Sequence, residues 1–284
     1  MGVPLRTTGI SDYTIDLDLA RANTSEVYDF LIEDLTTAIT LLPESNEFFA
    51  DRFSAEALLA RVYLYQGDYA NARDAAHNVI ENSGRGLTST YAEAFNNDVN
   101  SIEDLFAFQV TSQTGSNVLI EFYASEENGG RGGDITINDS YVSLFDAATD
   151  ERGTFFYESP QNGGRLTAKY TNQFGNVPIL RLAEMYLIRA EANLETGTEI
   201  GQPPLADLNL IRTRAGANVL ETITKDVLLQ ERQLELGFEG FFIYDIKRTE
   251  GMVAGLAWDD PSLTFPIPQS EIDTNQAIEQ NPGY

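Results

Sequence analysis

From Asn23 to Leu42 the apolar residues Val27, Phe30, Leu31, Leu35, Ala38 and Leu42 fall at three- and four-residue steps, with polar residues between them. That period lays an apolar stripe along one side of a helix. Asn23/Thr24 followed by Glu26 supplies a start signal, so an amphipathic helix is predicted here. The stretch "FSAEALLARVYLYQGDYANARDAAHNVIENSG", residues 53–84, holds a similar pattern twice. Ser54 is placed to cap its first helix, Gly67 to end that helix in a left-handed conformation, and Asp68 to cap the second, which predicts a helical hairpin. From Ile223 to Arg248, "ITKDVLLQERQLELGFEGFFIYDIKR" again reads as helix, with Ile223 and Leu228 spaced for a hydrophobic staple. Glu231, Arg232, Glu235 and Glu239 then line neighbouring turns and are expected to form structural ion pairs.

The hairpin carries a repeat signature. Leu59, Ala60, Tyr63, Gly67, Tyr69, Ala72 and Ala76 match the small and large positions of a tetratricopeptide (TPR) repeat, in which small residues allow close helix approach and tyrosines fill the groove. A second, weaker copy lies at "RLAEMYLIRAEANLETG" and, after an interruption from Thr198 to Pro204, at "LADLNLIRTRAG"; Asn193 occupies the place of Tyr63. Between the copies, residues 84–176 hold 11 of the 22 glycines and little helical period. A loop- and strand-rich insertion is predicted there, with extended segments at "SNVLIEFYA" and "DITINDSYVSLF". Long irregular excursions from a rigid scaffold are where binding usually sits.

Composition narrows the function classes. The net charge of −26, from 44 Asp and Glu against 18 Lys and Arg, repels phosphate backbones and argues against a nucleic-acid partner. Arginine outnumbers lysine 15 to 3, so most cations are planar forks suited to fixed carboxylate partners. With no cysteine, disulfides, thiolate metal sites and a Cys nucleophile are excluded. No run is long and apolar enough for a transmembrane segment, and Met1-Gly2 is followed by Val-Pro-Leu-Arg, in which neither an export signal nor an anchor is legible.

The segments "NVPILRLAEMYLIRAEA", "LNLIRTRAG", "ERQLELGFEGFFIYDIKR" and "PIPQSEIDTNQAIEQNPGY", in that order, resemble the SusD/RagB family of Bacteroidetes surface lipoproteins. The resemblance extends upstream through "VPLRTT", the helix of residues 23–42, the repeat at 55–82, and "DERGTFF", where family members carry Asp-Pro-Arg. It implies a mainly α, TPR-based SusD-like fold forming a single domain over residues 1–284: TPR helices at 20–83, the insertion and candidate ligand face at 84–176, TPR helices at 177–250, and a packed C-terminal segment at 251–284. It also implies non-enzymatic binding of an oligosaccharide or polysaccharide, with a SusC-like TonB-dependent transporter as partner. The implied location is the extracellular face of the outer membrane, by a lipid anchor that this chain does not contain. Two departures stand out: family members run well beyond this length, with further helices before the point matching Val3, and Phe242 replaces the Arg that usually follows the "FEG" motif.

Sugar recognition needs flat aromatic faces for the C–H side of a pyranose and polar side chains for the hydroxyls at its edge. Phe122 and Tyr123 precede the loop "NGGRGGD", whose Asn128, Arg131 and Asp134, with Asn138, supply polar candidates; Trp258, the sole tryptophan, is a further one. Two alternatives remain at this level: a TPR module that holds a peptide in its groove, and a glycoside hydrolase. The latter needs two carboxylates about 5–10 Å apart, which adjacent pairs such as Glu126-Glu127 or Asp150-Glu151 do not provide because neighbours in extended chain point to opposite faces. His77, the only histidine, falls on the second helix of the hairpin, away from any catalytic motif. No cofactor is implied, and a structural calcium ion held by loop carboxylates is left open. At the C-terminus, Pro266 and Pro268 predict an extended approach, Ser270 a cap for a short turn through Glu271 and Ile272, and Pro282-Gly283 a bend that docks Tyr284.

Overall fold

The structure is a computed structural model that describes residues 2–12, 14–15, 17–145 and 148–284; Met1, at the Met1-Gly2 start, lies outside the described residues, as do Tyr13, Asp16, Asp146 and Ala147. Its elements follow in the order α1 (Thr24–Leu41), α2 (Arg52–Gln66), α3 (Tyr69–Asn82), β1 (Asp104–Phe108), α4 (Val118–Tyr123), α5 (Asp139–Val142), β2 (Phe156–Glu158), β3 (Arg165–Thr167) and β4 (Val177–Arg181). After these come α6 (Leu182–Thr196), α7 (Pro204–Arg214), α8 (Lys225–Glu235), α9 (Phe242–Arg248), β5 (Met252–Val253), β6 (Leu256–Ala257) and α10 (Gln269–Thr274). The chain forms two compact units, residues 38–242 and residues 1–37 with 243–284.

In the unit of residues 38–242, α2, α3 and α6 build the main core. Ala57, Ala60, Ala72 and Ala76 are all fully buried, and the short side chains let the helices close on Leu182, Met185 and Ile188. The cap of α2 is Asp51 rather than Ser54. Asp51 Oδ1 accepts from the Ser54 N–H at 2.8 Å, and Ser54, three residues into the box, turns its hydroxyl onto the Leu105 carbonyl at 2.8 Å, tying the helix start to β1. Gly67 closes the helix at φ 77°, and the Asp68 carboxylate accepts from the Asn71 N–H, as the sequence predicts.

The second hairpin explains Asn193. It lies four residues before Gly197, as Tyr63 does before Gly67, but the chain beyond Gly197 runs out through a loop before α7 begins. The wholly buried Asn193 amide ties that loop down: Nδ2 donates to the Ile200 carbonyl at 3.0 Å, while Oδ1 accepts from the Ile200 N–H at 3.0 Å and from Thr198 Oγ1 at 2.8 Å. A tyrosine, with a single hydroxyl at the end of a long ring, could not pair with both the N–H and the carbonyl of Ile200 in this way. In α8 the staple forms, with Ile223 packed against the cluster that contains Leu228.

Three local expectations are corrected. "SNVLIEFYA" is helical rather than extended, because Asn117 Oδ1 accepts from the Leu119 N–H at 2.9 Å and starts α4, which turns Ile120 inward. "DITINDSYVSLF" forms no strand; single bonds from Ile135 N–H to the Phe122 carbonyl and from Ile137 N–H to the Arg165 carbonyl replace a ladder, and the stretch ends in α5. Among the described residues the strands form three antiparallel pairs instead, β1 with β4, β2 with β3, and β5 with β6. The helix expected from Ile223 to Arg248 breaks after Glu235: Phe238 at φ 67° and Gly240 at φ 86° turn the chain before α9. Two glycines within four residues weaken a helix by about 1 kcal/mol each, and the break lets Glu239 turn inward.

In the other unit, the C-terminal segment is fastened by polar side chains. Asn275 exchanges hydrogen bonds with the Leu19 backbone, 3.1 Å from its N–H and 2.9 Å to its carbonyl, and Gln280 does the same with Ile267 at 2.7 and 2.9 Å. Tyr284 docks through its hydroxyl, which donates to the Thr264 carbonyl at 2.8 Å, while its ring stays 58% exposed. The short helix of this segment is α10, entered from Pro268 rather than capped by Ser270. Proline fixes the backbone before the first turn and makes a side-chain cap unnecessary for entry.

Candidate functional site

The insertion is anchored by buried arginines. Arg152, just before β2, grips Asp150 through Nε at 2.9 Å and Nη2 at 2.8 Å and reaches Glu231 on α8. Arg181, where β4 passes into α6, donates to Glu239 at 2.9 and 2.7 Å and also meets Glu103 and Glu235. Lys169, just past β3, holds Glu239 at 2.6 Å with its ammonium 4.6 Å from the centre of the Phe95 ring. Arg212 and Arg214 add contacts to Glu231 and Glu235. The ion pairs expected along one helix are therefore made mainly between elements, and they clamp both ends of the β2–β3 hairpin against α8.

Neighbours decide the ionisation of these groups. Burial pushes the Glu235 carboxyl up, but Arg214, Arg181, Arg152 and Lys169 together overcome it and hold the group at about 2. Asp104, at the start of β1, goes the other way: burial lifts it to about 6 against the hydrogen bonds from Ser101 and the charge of Arg181. Burial likewise brings Lys169 down to about 8, even with Glu239 beside it.

Outside this frame, three of the sequence-predicted residues come together. The Phe122 ring lies at the end of α4 with the Arg131 guanidinium 4.9 Å from its centre, and Arg131 pairs with Asp134. The result is a partly exposed ring with the Arg131 guanidinium over it and the Asp134 carboxylate beside that guanidinium. Tyr123 turns the other way, onto Tyr170 at 5.3 Å and Phe238 at 6.4 Å, and burial pushes its hydroxyl pKa up. Asn128 holds its own turn through a bond to Ser125 Oγ, and the exposed Asn138 sits at the start of α5. Trp258 belongs to the other unit, just past β6, where its carbonyl accepts from Lys247 Nζ at 3.4 Å. His77 accepts from Arg189 Nη1 at 3.1 Å on α3.

Sequence reasoning missed a groove of about 460 Å³ on the same helix, within the size range of small-ligand sites. Phe108, Val110, Val118, Leu119, Val177 and Ile179 supply its apolar walls, with Gln109, Ser116 and Asn117 among its polar atoms. Phe108 is 57% and Val118 63% exposed, and Phe122 follows Val118 by one helical turn. The available signal was the alternation in "DLFAF", which puts Phe106 and Phe108 on one face just before the polar "VTSQTGSN". A second cleft of about 240 Å³ lies over the β2–β3 hairpin, lined by Phe156, Tyr157, Glu158, Gly163 and Arg165. Among the described residues no three His, Asp or Glu side chains converge as metal ligands would, and no helix is long and apolar enough to cross a membrane.

Comparison with known proteins agrees with this architecture. A SusD-like protein of Bacteroides ovatus is 29% identical over 275 residues, covering 78% of this chain and 50% of its own, so the chain spans half the length of that relative. The starch-binding protein SusD of Bacteroides thetaiotaomicron is 30% identical over 168 residues, covering 54% of this chain and 29% of its own. A solved SusD superfamily protein of Bacteroides thetaiotaomicron superposes with a TM-score of 0.81 at 28% identity, over 99% of this chain and 71% of its own. The SusD family profile matches residues 67–262, from α3 through the insertion, the second hairpin and the charged frame, and the chain belongs to the SusD family.

Proposed function

We propose that the chain binds a neutral oligosaccharide or polysaccharide without catalysis, at the outer-membrane surface, and passes it to a TonB-dependent transporter. The observation that carries the binding is the ring of Phe122 beside Arg131 and Asp134, one turn along α4 from the groove at Phe108 and Val118. A pyranose presents an apolar face ringed by hydroxyls, and this surface offers the complement: a flat apolar ring, donors and acceptors. The net charge of −26 disfavours polyanionic chains, and Asp134 offsets the charge of Arg131. The family membership and the 30% identity to a starch-binding relative support the same reading. A peptide in the TPR groove is less well supported, because the faces of α2 and α3 that meet are filled by α6.

Affinity electrophoresis and calorimetry against a panel of neutral and acidic polysaccharides test the binding, with retention by a neutral glycan expected. A folded chain that no glycan retards refutes it. Co-purification with a transporter from outer membranes tests the partner separately.

A further inference from the structure

The insertion contains an ungapped repeat. Residues 122–131, "FYASEENGGR", and residues 156–165, "FYESPQNGGR", share Phe-Tyr, Ser and Asn-Gly-Gly-Arg at the same spacing. The two copies adopt different backbones, the first running from the end of α4 into a turn and the second forming the β2–β3 hairpin. Identical local folding therefore does not explain the shared residues.

What the copies share is placement around Phe238. Each sends one ring inward to it, Tyr123 at 6.4 Å and Phe156 at 6.5 Å. Each also brings a ring to its own arginine: the Arg131 guanidinium lies over Phe122, and Phe156, on the same face of the hairpin as Arg165, lines the smaller cleft with it. The copies also interlock, once directly and otherwise through the two glycines that follow the first copy. The Ser125 N–H donates to Tyr157 Oη at 2.9 Å, Ser159 Oγ donates to the Gly132 carbonyl at 2.8 Å, and Asn162 Nδ2 donates to the Gly132 and Gly133 carbonyls at 3.3 Å.

Packing accounts for most of the shared residues. A Cβ at Gly130 would meet the Ala124 carbonyl oxygen at 2.1 Å, and one at Gly164 would meet Thr136 Cγ2 at 2.5 Å. Packing does not account for the arginines. Their side chains are 56% and 39% exposed, and each pairs with one carboxylate, Arg131 with Asp134 and Arg165 with Asp139. Two partly exposed arginines at matching places in the repeat, each beside an aromatic ring and a carboxylate, suit a ligand that is itself repetitive.

We propose that the two copies form adjacent subsites for successive segments of one neutral glycan chain, each subsite offering an accessible ring edge, an arginine and a carboxylate. This rests on the glycan-binding reading and deepens it: the ligand is a polymer gripped at two points. Because the copies are fastened directly together, the second contact forms at high effective concentration once the first is made.

Calorimetry with malto- and laminari-oligosaccharide ladders tests the pairing on the wild-type chain, R131Q, R165Q and the double variant. Short oligomers are expected to bind two per wild-type chain and one per single variant. Long oligomers bind the wild type about 100-fold more tightly than short ones, and either single variant loses most of that gain. R131K and R165K, which keep the charge but lose the planar fork, are expected to show a loss in the same direction. Circular dichroism checks that each variant is folded. Length-independent affinity, or a loss at only one arginine, overturns the pairing and leaves glycan binding standing. Failure of the wild type to bind any glycan in either ladder or the polysaccharide panel overturns both.

Discussion

Arg181 and Arg131 both pair with carboxylates, yet Arg181 is 2% exposed and touches three glutamates, while the side chain of Arg131 is 56% exposed and pairs with one aspartate. Water sets the difference. In the interior neither partner of Arg181 can fall back on solvation, so removing one leaves the others charged, dry and mismatched. At the surface, solvent replaces whatever Arg131 loses, so its pairing stabilises the fold little. Buried arginines brace the unit of residues 38–242, and the proposed binding surface draws on exposed ones.

The sharpest way to break that contrast is R181A. It should cost about 3–5 kcal/mol of stability, read from urea unfolding, because it removes the buried cation that Glu103, Glu235 and Glu239 share and leaves an excess of negative charge in the interior. A loss below 1 kcal/mol would place Arg181 with the surface class. Next in size is acid. Glu235 is held near 2 against an ordinary value of 4.5, so its contribution is complete above pH 4.5 and is lost as pH falls toward 2. That loss is on the order of 3 kcal/mol for this group, and E235Q should flatten the same part of the stability profile. Asp104 has the opposite sign: raised from 3.8 to about 6, it favours the fold below pH 3.8 and that contribution disappears as pH rises through 6. D104N should therefore gain on the wild type at neutral pH, and no gain would contradict the assigned burial penalty.

At the surface the expected effects are smaller and move to binding. F122A should weaken glycan affinity about 10-fold, equivalent to one lost ring contact, with circular dichroism and unfolding midpoint nearly unchanged. Parallel losses of stability and affinity would make Phe122 a packing residue. Smallest of all, D134A should shift stability by less than about 1 kcal/mol, and that shift should shrink in high salt.

Much of the helical scaffold was legible in the sequence because Gly67, Asp68 and the alanines of α2 and α3 act within a few residues of themselves. The arginine excess also announced fixed ion pairs. Their partners were not legible: Glu103 and Arg181 are 78 residues apart, and only the assembled fold brings them together. The six-residue α4 was misread because its apolar run is too short to separate helix from strand by period, and one capping asparagine decided it. The same misreading hid the candidate surface. On a strand Phe122 and Tyr123 would face opposite sides of a sheet, whereas on α4 one joins the exposed edge and the other the ring cluster.

Phe238 carries a tension of its own. Its backbone, at φ 67°, favours glycine, while its ring is contacted by Tyr123, Tyr141 and Phe156. Glycine there would relieve about 1 kcal/mol of backbone strain and lose far more in packing; any other bulky residue would keep the strain and fit the rings less well. The site thus trades a strained backbone for a ring that three neighbours hold, so both glycine and a differently shaped bulky residue are expected to lower stability.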